Sequence, residues 1–294
     1  CLKHAFNESD EDVIQRWGET PTWQYFSGNE YFEHQWPCDP TQLGRFRKAL
    51  GEEGVEELLA RTMEVAVTLK MIAKKELARV IVDSTVQEKA IAHPTDSKLL
   101  ETARSKVVEA AKAHGIELKQ TYAKEGQLLG YKAGRYAHAR QFKRMRKVIK
   151  RQRTIVGRLQ REVARKMTAL SQAMQETLGH TLDKAKRLVA QTASRKAVGN
   201  RAKLYSWHAP EVECISKGKS RNPYEFGVKV GLAMTLKGNL IVGAWSFPGN
   251  PSDGDRMHAQ IAQSATLSQG LGVKPAGVYA DLGYRGVDKD NPQI

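Results

Sequence analysis

The sequence predicts a mixed α/β fold, in which a β-sheet is split by a long basic helical insertion and preceded by a helical N-terminal segment. Three observations predict it. β-branched runs such as Val80-Ile81-Val82, and three further segments after Lys203, read as strands. Apolar residues three, four or seven apart fill residues 97–200 and read as buried helix stripes. The elements then follow as strand, strand, helical insertion, three strands, helix, strand, the alternation of a mixed sheet.

Residues 1–77 read as a helical domain. Asp10-Glu11-Asp12 opens an amphipathic stretch reaching Trp17, with its acids in the first turn. Asp39 or Thr41 can cap a helix carrying Leu43, Phe46 and Leu50 that stops at Gly51; Val55, Leu58, Leu59, Met63, Ala66 and Leu69 continue at helical spacing. Trp23, Tyr25, Phe26, Tyr31, Phe32 and Trp36 are interleaved with no basic residue, so a small core under the helices is expected rather than a base-stacking platform.

Residues 78–96 read as the first strands of the sheet domain. Val80-Ile81-Val82-Asp83 is followed by a polar turn, a second strand at Ala90-Ile91-Ala92, and the stop His93-Pro94-Thr95-Asp96. Residues 97–202 form the basic insertion, with one long helical stretch expected from about Tyr136 to Leu178. Residues 203–294 return to β-structure: Lys203–Trp207, Tyr224–Met234 and Leu240–Ser246, the last two joined by a hairpin turn at Leu236-Lys237-Gly238-Asn239. A helix near Asp255–Leu267 and a strand ending at Ala280 follow.

Charge is the strongest functional signal. The chain has 294 residues and a net charge of +15, and its pI is about 9.7. Residues 101–205 alone carry 26 Lys+Arg against 7 Asp+Glu, whereas the rest is slightly acidic. Between Arg135 and Lys166 there are 13 basic residues and one acid. A merely solvated helix face normally mixes signs in i,i+4 pairs, so a phosphate-contacting face is expected, with Arg140, Lys143, Arg144, Lys147 and Arg151 on it. The basic loop Lys217-Gly218-Lys219 is suited to a second backbone contact, and a polyanion, most often nucleic acid, is the expected partner. Cys1, Cys38 and Cys214 are too dispersed for a disulfide framework or a zinc site. No apolar run reaches the ~20 residues of a membrane span, and a cytoplasmic, nucleoid-associated protein is expected.

Asp83 and Asp281 each follow an apolar strand, and both are expected where a strand passes into a turn. A carboxylate on a buried strand is costly unless paired or bound to a cation. Two of them converging would suit a pair of Mg²⁺ or Mn²⁺ ions, which take oxygen ligands and act on phosphodiesters. A buried aspartate that simply caps its turn is the alternative. No Ser, Cys or His nucleophile is signalled.

Several ordered runs resemble bacterial insertion-sequence transposases of the insertion-sequence-five group. They are Val82-Asp83-Ser84-Thr85 with His93-Pro94-Thr95-Asp96-Ser97, then Tyr224–Lys229, then Asp281-Leu282-Gly283-Tyr284-Arg285-Gly286, with Tyr25–Gly28 and Cys38–Thr41 in the N-terminal part. The resemblance implies a ribonuclease-H-like mixed sheet and an Asp-Asp-Glu triad holding two Mg²⁺ or Mn²⁺ ions. Asp83 and Asp281 match its first two members as catalytic residues and metal ligands. It also implies DNA cleavage and strand transfer, a homodimer in the synaptic complex, and a third acid beyond Ile294. Arg285, and Tyr284 before it, are candidate phosphate contacts, with packing or surface roles as the alternative. The chain begins at Cys1 rather than Met and stops soon after Asp281, so a fragment incompetent for transfer alone is expected. A non-catalytic DNA-binding remnant and a metal-dependent nuclease are the rival readings.

Overall fold

The structure, a computed structural model, describes residues 1–193, 203–216 and 223–284. The chain divides into two compact units: residues 1–80, 234–243 and 262–277 form one, and residues 81–233, 244–261 and 278–294 the other.

The first unit begins with helices α1 (Leu2–Ala5), α2 (Asp10–Glu19), α3 (Pro21–Phe26) and α4 (Pro40–Thr68). Ser9 caps α2, its hydroxyl accepting from the Asp12 N–H, and Asp39 caps α4 ahead of Pro40 at the first helical position. Gly51 lies inside α4 at φ 62°, so the expected stop survives as a kink rather than an end. Val13, Ile14, Trp17 and Trp23 make the core of this helical part. Asp10 ties it to α4, because Arg47, followed by Lys3, holds its carboxylate well below the usual range. Of the six aromatics expected to form a small core, only Trp23 is buried. Tyr25 and Phe26, on the other side of the six-residue α3, are exposed, as are Tyr31, Phe32 and Trp36 in the irregular segment after it.

The second unit contains the basic helical block: α5 (Asp96–Ala113), α6 (Ala123–His138), α7 (Phe142–Lys166) and α8 (Gln172–Ala193). Leu100, Ala103 and Val107 of α5 pack with Ile155, Leu159 and Val163 of α7 and Leu178, Ala185 and Leu188 of α8. The single long helix expected from Tyr136 is broken instead. Arg140 adopts the left-handed conformation (φ 54°), and the Gln141 N–H reaches back to the Tyr136 carbonyl, which terminates α6 by a Schellman-type closure. A second interruption at Leu170, which is extended, separates α7 from α8.

The sheet has five strands: β1 (Arg79–Glu88), β2 (Glu213–Ser216), β3 (Tyr224–Thr235), β4 (Ile241–Phe247) and β5 (Gly277–Ala280). Their order is β2-β3-β1-β5, with β4 also paired to β3. β2 runs antiparallel to β3, Glu213 opposite Gly227 and Ser216 opposite Tyr224. Helix α9 (Met257–Leu267) lies between β4 and β5 in the chain. Two expected strands are absent. At Ala90–Ala92 the Ile91 N–H turns back to the Lys89 carbonyl, so the chain leaves the sheet. At Lys203–Trp207 the backbone of Leu204 is satisfied by the Gln191 side-chain amide, and its side chain enters the helical core.

β3 inverts the pattern its sequence leads one to expect. Gly227, Lys229, Gly231, Ala233 and Thr235 form its buried face, while Phe226, Val228, Val230, Leu232 and Met234 are half-buried. At Gly227 a side chain would run into the Gln87 carbonyl of β1, and at Gly231 into Gln260 of α9 and Phe247. Glycine therefore lets neighbouring elements close onto this face.

The helical block rests on apolar packing. Leu159→Ala in α7, which is fully buried, is expected to destabilise the protein by about 3 kcal/mol in urea unfolding followed by circular dichroism.

Candidate active site

On β1 the apolar residues Val80, Val82 and Val86 alternate inward, which places Asp83 on the opposite, exposed face. Asp83 therefore stands mid-strand and open to solvent, not at a strand end on a buried strand as the sequence led us to expect. Its Oδ1 accepts the Ser84 N–H at 2.7 Å. Asp281 follows the last residue of β5, where a strand does pass into a turn, and is also exposed. Its Oδ1 accepts the Gly283 N–H at 2.8 Å, and its carbonyl accepts the Tyr284 N–H at 3.2 Å. Among the described residues no other donor engages either carboxylate.

Tyr284 shows that the two aspartates share a neighbourhood. Its ring is buried, 6% exposed, with the Gln260 side chain against its hydroxyl. Burial, then the charges of Asp253, Asp83 and Asp281, push its phenol up to about 12. One buried hydroxyl thus feels both aspartates the sequence singled out and a third that it did not. Of the roles the sequence left open for Tyr284, phosphate contact, packing or surface, its burial fits packing.

Asp253 belongs to the loop after β4, and Lys229 of β3 holds it. Lys229 is 8% exposed; its Nζ lies 2.7 Å from Asp253 Oδ1 and donates to the Pro251 carbonyl at 2.7 Å. A buried lysine is tolerated only with such partners. Two further acids have separate partners: Glu211 pairs with Lys89, and Glu213 accepts the Gly249 N–H. The signal for this pairing was present in Val228-Lys229-Val230, a charge in the middle of an apolar strand.

Two exposed carboxylates with unengaged oxygens are hard donors of the kind Mg²⁺ and Mn²⁺ accept. Among the described residues, no three His, Cys, Asp or Glu side chains are grouped to hold a metal. Asp83 and Asp281 thus fit such an ion in chemistry but supply only part of a coordination sphere.

The basic surface lies on α7 and just before it. Arg140, Lys143, Arg144 and Lys147 are exposed, and among the described residues they form no ion pair. Arg151 is different. Its Nε and Nη2 bind both oxygens of Glu125 on α6 at 2.7 and 3.0 Å, which holds the Glu125 carboxyl below its usual range. That guanidinium joins two helices, so its fork is already occupied. Lys217, Lys219 and Arg285 lie outside the described residues.

Among the described residues, no helix is long and apolar enough to cross a membrane. No family model matches the chain, and no solved structure matches it. A similar protein is described as the uncharacterized protein ORF8 in the nfe locus of Rhizobium meliloti. The two are 48% identical over 141 residues, which is 48% of this chain and 68% of the relative.

Two predictions test this arrangement. Lys229→Met strands Asp253 and is expected to cost about 3 kcal/mol of stability, measured by denaturant unfolding at neutral pH. Tyr284 is kept neutral in the folded state to about pH 12, while an unfolded tyrosine ionises near 10. Its stabilising contribution is thus whole below pH 10 and lost as pH rises towards 12. Tyr284→Phe should flatten the fall in stability across that window; a fall identical to the parent's would contradict the burial of its hydroxyl.

Proposed function

We propose that this chain, which belongs to the family of the Rhizobium meliloti protein described above, is a DNA transposase of the insertion-sequence-five type, with a ribonuclease-H-like sheet. The observation that carries the reading is the placement of Asp83 on β1 and Asp281 at the end of β5, neighbouring strands, within electrostatic range of one buried phenol. The basic, unpaired face at the start of α7 supports a polyanion as the substrate.

In this reading Asp83 and Asp281 are catalytic residues that would hold Mg²⁺ or Mn²⁺, which when bound would supply Lewis-acid activation for phosphodiester chemistry. The residues of the chain do the rest. The Ser84 and Gly283 N–H groups fix the two carboxylates, turning one oxygen of each away and leaving the other to coordinate. Lys229 withdraws Asp253 from that role, and Tyr284 closes the floor beneath. Arg140, Lys143, Arg144 and Lys147 hold the DNA backbone, with Lys217, Lys219 and Arg285 as further contacts. Arg151 supports the DNA-binding face by tying α7 to α6. A dimer in the complex with two element ends and a nucleoid location complete the proposal.

Two outcomes follow. Arg144→Ala with Lys147→Ala should weaken duplex binding irrespective of sequence and reduce the slope of log affinity against log salt by roughly two. An unchanged slope in a fluorescence-anisotropy titration would remove α7 from the interface. With Mn²⁺ present, Asp83→Asn and Asp281→Asn should each abolish nicking of a supercoiled plasmid while gel-shift affinity stays at the parent's level. Nicking that persists in either variant would take that residue out of the chemistry.

A further inference from the structure

Helix α4 is apolar on two sides, and the fold covers one of them. Beyond the kink at Gly51 it runs unbroken to Thr68. On the covered side Met63 and Ala66 are buried and Leu59 is half-buried. Glu56, two turns before Met63, accepts from the Gln263 side chain at 2.7 Å. Val55, Leu58, Val65 and Leu69 turn the other way and are 54%, 57%, 54% and 66% exposed.

A helix face meant for water is normally polar, so this open row asks for a reason. With the exposed Thr62 between them, its members lie 3, 4, 3 and 4 residues apart. That is the seam spacing of paired helices: Val55, Thr62 and Leu69 fall at the a positions of a heptad, Leu58 and Val65 at the d positions. β-branched residues at a with leucine at d favour two strands, and Val55, Thr62 and Leu58 follow that choice.

The borders of the row carry a second signal. Towards the body of the unit it is flanked by Leu59 and Ala66, and towards solvent by Arg61. The Arg61 guanidinium is shared between Glu57 and Glu64, both at 2.8 Å. No unbalanced charge therefore stands beside the seam, and two such rows can meet without repulsion. The fold already holds α4 as a helix, so pairing does not have to nucleate one and a short seam can serve.

Charge and area select the partner. Between Glu52 and Leu69 there are five Glu and one Arg, which disfavours nucleic acid and an anionic bilayer, since both take cations at the contact. A helix with the same spacing and a neutral border is what fits, and every copy of this chain presents one, which makes the surface self-complementary. The exposed parts of the four apolar side chains supply roughly half of the ~800 Å² that each partner of a standard interface buries, and the rim of Glu57, Arg61 and Thr68 lies ready to add the rest. We propose that the outer row of α4 pairs with the same row of a second copy in a two-helix seam. This pairing requires no nucleic acid and does not depend on the transposase reading.

Sedimentation velocity of the nuclease-treated chain tests it. The parent should pass from monomer to dimer as its concentration rises, with a dissociation constant that added NaCl does not raise, because apolar burial carries the contact. Leu58→Glu with Val65→Glu places carboxylates in the seam and should raise that constant by about 100-fold or more. Both positions are open to solvent, so the circular dichroism spectrum and thermal melt of the variant should match the parent's. If that variant fails to fold, Leu58→Ser with Val65→Thr serves instead, with a rise of about ten-fold expected. A parent that stays monomeric at every concentration overturns the proposal. So does a folded variant that dimerises as the parent does, and so does a dimer that falls apart as salt is added.

Discussion

β1 and β5 lie side by side in the sheet, and that pairing gives Asp83 and Asp281 a common neighbourhood although the whole helical block separates them in the chain. What is built around them follows from electrostatics. Asp83, Asp253 and Asp281 all act on one buried phenol, so the neighbourhood carries an excess of negative charge that Lys229 offsets at Asp253 alone. Burial keeps Tyr284 protonated and adds no further charge. The remaining imbalance sits on two exposed carboxylates, where a divalent cation would relieve it.

The helical block resolves the opposite excess. It has few acids, and they are spent on holding helices in place: Glu125 grips Arg151 across α6 and α7, and Glu162 accepts both the Lys119 N–H and Lys166. Arg153 reaches the Thr192 carbonyl of α8. Basic residues that serve the fold are therefore paired, and the exposed ones near the start of α7 are not. Apolar packing among α5, α7 and α8 lets the block carry that repulsion, since leucine and valine layers do not depend on charge.

Much of this was legible in the sequence. The β-branched run Val80-Ile81-Val82, the helical stripe through Val156, Leu159 and Val163, and the turn between β3 and β4 all read correctly, because local patterning and burial agree there. Where long-range partners decide, the sequence misled. Leu204 looked like a strand residue because nothing nearby shows that Gln191 will satisfy its backbone. Arg140 broke a continuous stripe by adopting a left-handed conformation that residues other than glycine rarely signal. The buried face of β3 was hidden by its composition, since glycines and a lysine suit burial only when Gln260, Phe247 and Asp253 arrive from elsewhere. Lys229, Asp253, Gln260 and Tyr284 therefore went unrecognised as one assembly.

The most direct measurement of the central claim is Mn²⁺ binding by electron paramagnetic resonance in the parent, Asp83→Asn, Asp281→Asn and the double variant. If the two carboxylates hold a common ion, either substitution alone should remove most of the affinity, and the double variant should be little worse than the singles. Losses that simply add, or single variants that bind Mn²⁺ as the parent does, would show that positions 83 and 281 do not act as one site.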